Sequence, residues 1–201
     1  MDRYYNRKKF FSINVLAVCD SDTKFLFVEC KWPGSVHDSR VYRRSDLFDA
    51  VHNRGRNPNM SFLLADLGFP LTSCTLTPYK KPRGRNQRFF NKRLRQNRVI
   101  IEQAFGKLKA RFPVLKYTIL LHLKNISVII VACFILQNMA VDLNERDFFM
   151  EEDDEQVEIR ESSDDDEDGG GAGEFDEEED YLIDDREQAR GFREDISNRL
   201  L

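Results

Sequence analysis

The sequence is poor in paired cysteines, in acid through its middle third, and in apolar runs long enough to span a bilayer. Its four cysteines, Cys19, Cys30, Cys74 and Cys133, stand far apart with no CxxC pair. That spacing argues against a disulfide framework and leaves small core residues in a reduced intracellular compartment as the expectation. The longest apolar run, "ISVIIVACFIL" (126–136), is too short to cross a membrane, so it reads as a buried helix and gives no membrane role. From Leu67 to Ile101 there is no carboxylate at all.

That acid-free gap belongs to a larger asymmetry in the 201 residues. Residues 1–149 hold 26 Lys+Arg against 12 Asp+Glu, whereas residues 150–201 hold 5 against 23, so the net charge of -4 hides a basic body and an acidic tail. Such a split points to a polyanion-binding domain with a solvated or regulatory extension, one that could compete for the body's cations. The expected organisation is a domain over 4–149 and an acidic tail over 150–201. The stretch "EEDDEQVEIRESSDDDEDGGGAGEFDEEED" has too little apolar surface to offset the entropy of ordering and is expected to lack structure. A terminal segment, 186–201, has helical spacing through Phe192, Ile196 and Leu200, and is expected to form a weak tail helix.

Within the body, "KKFFSINVLAVCDSDTKFLFVEC" (8–30) reads as two strands joined by the polar turn "CDSDTK", with Asp20 and Asp22 as turn residues. A Pro-Gly breaker follows, after which Ser35 can cap a helix whose first turn carries Asp38, and Ser45-Asp46 can cap a second. "MSFLLAD" (60–66) reads as a strand. "FFNKRLRQNRVIIEQAFGKLKARF" (89–112) places Leu94, Ile101, Phe105, Leu108 and Phe112 on one helical stripe that ends before Pro113, and a last helix spans roughly Leu123 to Asp142.

Two acids are out of place on these elements. Asp66 ends an apolar strand, where Asp is disfavoured, and either opens the following turn or holds a metal ion at the mouth of a sheet. Glu102 lies on the basic helix beside apolar residues, as an ion-pair partner for Arg98 or Lys107 or as a second ligand. The 35 residues between them match the spacing of the last two carboxylates in a D-D-E metal site. Hard divalent cations require several oxygen ligands, and a pair of metals can clamp one phosphate between attacking and leaving oxygens. The cations Lys80, Lys81, Arg83, Arg85, Arg88, Lys92, Arg93 and Arg95, with Arg98 behind them, suit a phosphate backbone held without regard to base sequence. The same run also reads as a nuclear-import signal.

Four stretches in order, "FFSINVLAVCDSDTKFLFVECKWPGSVHDSRVYRRSDL", "LLADLGFPL", "VIIEQAFGKLKARFPVL" and "VACFILQNMA", resemble the DDE superfamily endonuclease domain of PIF/Harbinger transposases and the nucleases derived from them in animals. The resemblance covers roughly residues 4–141. It implies an α/β, RNase H-like fold, a mixed sheet flanked by helices. It matches Asp66 to the second catalytic aspartate and Glu102 to the glutamate, and it makes Asp38 in "GSVHDSRV" a further characteristic acid. For Asp38 a helix-start interaction and a metal contact stay open, and His37 beside it reads as structural.

The family's first aspartate lies on an "IDGT"-like strand upstream of Tyr4, and nothing here matches it, so the expected sheet lacks its first strand and exposes an edge. Gln137-Asn138 also stands where the family has a His before the Asn. The resemblance therefore implies an Mg²⁺- or Mn²⁺-dependent nuclease or transposase-derived domain acting on DNA phosphodiesters, impaired by the absent aspartate. The alternative is a catalytically inactive, domesticated DNA-binding or protein-interaction domain. A nuclear location, with a cytoplasmic share also compatible, and a Myb/SANT-like DNA-binding partner complete the expectation.

Overall fold

Asp20 turns the chain back on itself. Its Oδ1 accepts from the backbone N–H groups of Asp22 (2.9 Å) and Lys24 (3.0 Å), and Thr23 takes a left-handed φ of 66° between them. The turn joins β1 (Ile13–Cys19) to an antiparallel β2 (Phe25–Pro33), as the sequence predicts. The computed structural model describes residues 4–5, 11–52, 62–119, 121–145 and 178–200. The architecture is mixed α/β, with two small sheets among helices.

After β2 the chain makes α1 (Asp38–Arg43) and α2 (Asp46–His52). The first begins later than Ser35 would cap it, because His37 occupies the N-cap position and Asp38 opens the first turn. At the second, the Ser45 hydroxyl accepts from Phe48 N–H at 3.1 Å, the cap expected there. Buried Glu29 adds another constraint, its Oε2 accepting from Asp46 N–H at 3.1 Å and its Oε1 from the Trp32 indole at 3.2 Å.

The strand expected over 60–66 is shorter. The ladder consists of β3 (Leu63–Leu64) running parallel to β4 (Thr75–Leu76), and residues 60–61 lie outside the described part. It stops because Asp66 starts a turn: its Oδ1 accepts from Gly68 N–H at 2.9 Å and its carbonyl from Phe69 N–H at 3.2 Å.

The basic helix, in contrast, is longer than expected. α3 runs Gly84–Arg111, so Arg85 and Arg88 lie on it rather than before it. Gln87 supplies the missing start signal by accepting Arg83 N–H at 2.6 Å, and Gly84 takes φ 74°, which a residue with a Cβ would resist. Pro113 ends the helix as predicted, in a short 3-10 turn over Pro113–Leu115.

α4 (Leu123–Asp142) then packs on β2 and α3. Phe25, Phe105 and Phe134 meet at its centre, with ring centroids 4.5 Å apart for Phe25–Phe134 and 5.7 Å for Phe25–Phe105. Burying such side chains contributes about 1.5–3 kcal/mol each. Asn138 clips β2 by donating to Phe25 O (2.7 Å) and accepting Phe25 N–H (2.8 Å). Buried Gln137 accepts from Arg111 Nε at 3.1 Å. The helix containing the 126–136 run is 20 residues long, so by length and composition it could cross a bilayer, although one face packs into this core.

The largest departure from expectation is the C-terminus. Instead of a weak tail helix, α5 (Glu178–Arg199) docks on α3 and on the loop around β4. Ile196 packs with Leu76, Phe90 and Leu94, and Phe192 stacks on Phe62 with centroids 4.6 Å apart. Arg193 lies 3.9 Å over the Tyr79 ring while donating to the carbonyls of Thr77 (3.1 Å) and Pro78 (3.2 Å). Both oxygens of buried Asp185 accept from Ser73 N–H, at 3.0 and 3.2 Å. Leu200, expected on the apolar stripe, is exposed. Of the stretch 151–180 expected to lack structure, residues 178–180 begin α5 and the rest lies outside the described residues.

Candidate functional site

Where β1 and β3 come near α3 they leave a cleft of about 650 Å³, lined mostly by apolar side chains, with Asp20, Asp38, Asp66, Asn97 and Arg98 also in the lining. Asp38 reaches it from the first turn of α1 and Asp66 from the turn after β3. Gly68 explains how they meet. A Cβ built on it would sit 3.1 Å from Asp66 Oδ1 and 3.3 Å from Asp38 Oδ2, so the two oxygens can be no farther apart than those distances combined. A residue larger than glycine would fill the space that the two carboxylates share.

α3 supplies the opposing charge. Arg98 Nη2 lies 3.5 Å from Asp66 Oδ2, in a pair that is partly open to solvent. Arg98 is thus the partner of Asp66 rather than of Glu102. Glu102 is exposed one helical turn farther on, next to the cleft-lining Ile101 but not itself in the lining. Lys107, the other partner considered for Glu102, reaches the Thr23 hydroxyl at 3.5 Å. The structure therefore brings Asp38 and Asp66 together, whereas Glu102 is exposed on α3 outside the cleft lining. Among the described residues, no three His, Cys, Asp or Glu side chains are grouped to hold a metal ion.

The cations sort by helical geometry. Arg85, Arg88, Lys92 and Arg95 fall at steps of three and four on α3 and form one exposed stripe, and Glu102 continues its period. Lys80, Lys81 and Arg83 extend it as exposed residues before the helix, and Arg93 lies to the side, its guanidinium 5.2 Å from the Phe89 ring centroid. The stripe covers the first half of α3, and Arg98 lies at the middle of the helix. Burial pushes the thiols of Cys19, Cys30 and Cys133 up, which favours their protonated form.

Gly68 and the clustering of Asp38 with Asp66 were not readable as a site from spacing. The only local signal was a glycine two residues after an out-of-place acid, which reads equally as a turn.

A family profile described as DDE superfamily endonuclease matches residues 1–138. The chain belongs to the DDE superfamily endonuclease family. Among its DDE relatives, the mouse protein named "Putative nuclease HARBI1" is 34% identical over 142 residues, covering 69% of this chain and 40% of its own length. The human protein of the same name is 32% identical over the same span. The Arabidopsis thaliana "Protein ALP1-like" is 31% identical over 153 residues, 69% of this chain and 37% of its own. The chain thus spans about two fifths of the length of these relatives. No solved structure matches it significantly. The DDE match stops at residue 138, so α5 lies beyond it.

Proposed function

We propose that this chain is part of a transposase-derived nuclease that holds the DNA backbone on α3 and carries two of the carboxylates that would bind a divalent cation. The single observation that carries the reading is the convergence of Asp38 and Asp66 around Gly68, beside Arg98. Two hard carboxylate oxygens around one open space suit Mg²⁺ or Mn²⁺, and the glycine keeps that space clear. In this reading Asp66 and Asp38 are ligands, and Glu102 completes the set from α3. A bound divalent ion would supply Lewis-acid polarisation of the phosphoryl group and a more acidic attacking water. The protein's own residues do the rest. Arg85, Arg88, Lys92 and Arg95 neutralise successive phosphates and fix the strand along α3, and Arg98 holds Asp66 in its rotamer.

An RNase H-like sheet with a strand missing between β1 and β3 also belongs to this proposal. Residues of both strands line the same cleft. Leu63 and Ala65 donate their N–H groups toward β4, at 2.9 Å each, so alternation turns the Leu64 peptide groups to the opposite edge. Among the described residues no strand pairs with that edge, which supports the reading that the site takes a further strand, and one more acid, for full activity. Weak or no cleavage by this chain alone is therefore expected. A nuclear location and a Myb/SANT-like partner that supplies sequence specificity are part of the same proposal.

One observation favours a second reading, a DNA-binding domain without chemistry. Arg98 already neutralises Asp66, and the stripe needs no metal to act. Titrating Mn²⁺ into the chain and into Gly68→Ala separates the two. The first reading expects binding that weakens about tenfold or more when the Cβ intrudes on the carboxylates. Unchanged Mn²⁺ affinity in Gly68→Ala would remove the proposed ligand pair. DNA affinity that survives both chelation and the Asp66→Asn, Glu102→Gln double substitution would favour the second reading. Robust Mg²⁺- or Mn²⁺-dependent cutting, abolished by Asp66→Ala, would overturn the expected impairment.

A further inference from the structure

α4 has two apolar faces, and among the described residues only one is covered. Ile130, Cys133, Phe134 and Ala140 point into the core, whereas Val128 (68% exposed), Ile135, Leu136, Met139 and Leu143 (68%) stand in solvent. An outer helix face normally carries charge, but between Leu123 and Asp142 the only charged residues are Lys124 and Asp142, one at each end. A contiguous exposed apolar face of this kind marks an interaction surface.

We propose that this face is a self-association surface, on which α4 of a second copy packs antiparallel. The stripe has the steps that a helix–helix seam requires: Val128, Ala132, Ile135, Met139 and Leu143 follow one another at intervals of four, three, four and four. It is also complementary to its own reverse. A two-fold axis between Cys133 and Phe134 sets Val128 against Met139 of the partner subunit and the small Ala132 against Ile135 of the partner subunit. Each large side chain then meets a smaller one, in both halves alike. The same axis brings Lys124 beside Asp142 of the partner subunit. Asp142 also pairs with Lys24 of its own chain, but its side chain stays 57% exposed and open to a second cation. A parallel arrangement would set Lys124 against Lys124 of the partner subunit, so charge selects the antiparallel one.

Sedimentation velocity on the full chain tests this over a concentration series. A monomer–dimer equilibrium in the micromolar range is expected, with the dissociation constant raised about tenfold or more by Ile135→Asp, a change at an exposed position that leaves the circular dichroism spectrum intact. Register is read by oxidation. The Val128→Cys, Met139→Cys double variant should give a covalent dimer where either single variant and the parent chain do not. A monomer at every concentration, a dimer indifferent to Ile135→Asp, or cross-linking by Val128→Cys alone would each overturn the proposal. So would flotation of the chain with phosphatidylcholine vesicles that Ile135→Asp abolishes, because the face would then be lipid-seeking.

Discussion

Replacing Arg193 by alanine asks whether α5 is a working part of the fold. The guanidinium gives up two hydrogen bonds to the Thr77 and Pro78 carbonyls, at 3.1 and 3.2 Å. It also gives up its place 3.9 Å over Tyr79. Hydrogen bonds from a charged donor contribute about 1.5–3 kcal/mol each, and a cation over an aromatic face about 0.5–2 kcal/mol. Against this stands the cost of holding the charge out of water. Burial pulls the Arg193 pKa down, and its Nε is buried without a hydrogen-bond partner. The two carbonyls also regain water once the side chain is gone. The net loss should be about 2 kcal/mol, a sizeable share of the roughly 5–15 kcal/mol that holds a domain together. In urea, with a slope of about 2 kcal/mol/M, the unfolding midpoint should fall by about 1 M while the slope is unchanged. Arg190→Ala, on the exposed side of the same helix, should move it by no more than a quarter of that. Equal midpoints for the two variants would refute the argument, as would backbone amides over 185–200 that exchange as fast as an unfolded peptide's.

Two further outcomes follow from the same geometry. Replacing Lys92 and Arg95 by alanine should reduce the slope of log affinity for duplex DNA against log salt by about 2, close to 0.9 for each phosphate that no longer meets a cation. Lys116→Ala, off the stripe, should leave the slope unchanged, and equal effects would show that the cations act only through net charge. Tyr42 provides a pH test. Burial is the main cause that pushes its phenol from 10 up to about 12, with its hydroxyl 2.6 Å from Thr75 Oγ1 opposing the shift. The unfolded chain therefore ionises first. The stabilisation is intact below pH 10 and is lost as pH rises to about 12, by about 3 kcal/mol in all. Tyr42→Phe should flatten that decline in the urea midpoint, and an unchanged decline would assign it to other groups.

The elements that could be read from the sequence were those whose signals are local. The turn at Asp20, the cap at Ser45, the stop at Pro113 and the apolar stripe of α3 each rest on a few adjacent residues, and each was found where expected. Asp66 was recognisable as misplaced, since an acid at the end of an apolar strand is costly without a partner. Its convergence with Asp38 was not, because that depends on how α1 packs against the turn at Gly68. The docking of α5 was missed for another reason. Its docking seam consists of buried Asp185, Ala189 and Ser197 with half-buried Arg193 and Ile196, spaced as a helix face but mostly polar or small, so hydropathy does not show it. Phe192 was visible, but Phe62, the ring it stacks on, lies more than a hundred residues away.

The position of α5 also bears on whether the acidic C-terminal region disables the basic body. α5 packs against the Phe90 and Leu94 side of α3. Lys92 lies two residues from each of them, and at about 100° per residue that places it about 200° around the helix, on the far side. Arg88 and Arg95 share its face. The exposed acids of α5, Glu187, Glu194 and Asp195, are therefore separated from the stripe by the body of α3. A helix with its side chains is about 10 Å across, and charges in physiological salt are screened over about 8 Å. A docked α5 is thus too far round the helix to neutralise the cations that face solvent. If its acids did compete with DNA, α5 would first have to leave the seam that Arg193 and Asp185 hold. Arg193→Ala should then weaken DNA binding as well as the fold, whereas a docked and passive α5 leaves the salt slope of that variant equal to that of the parent chain.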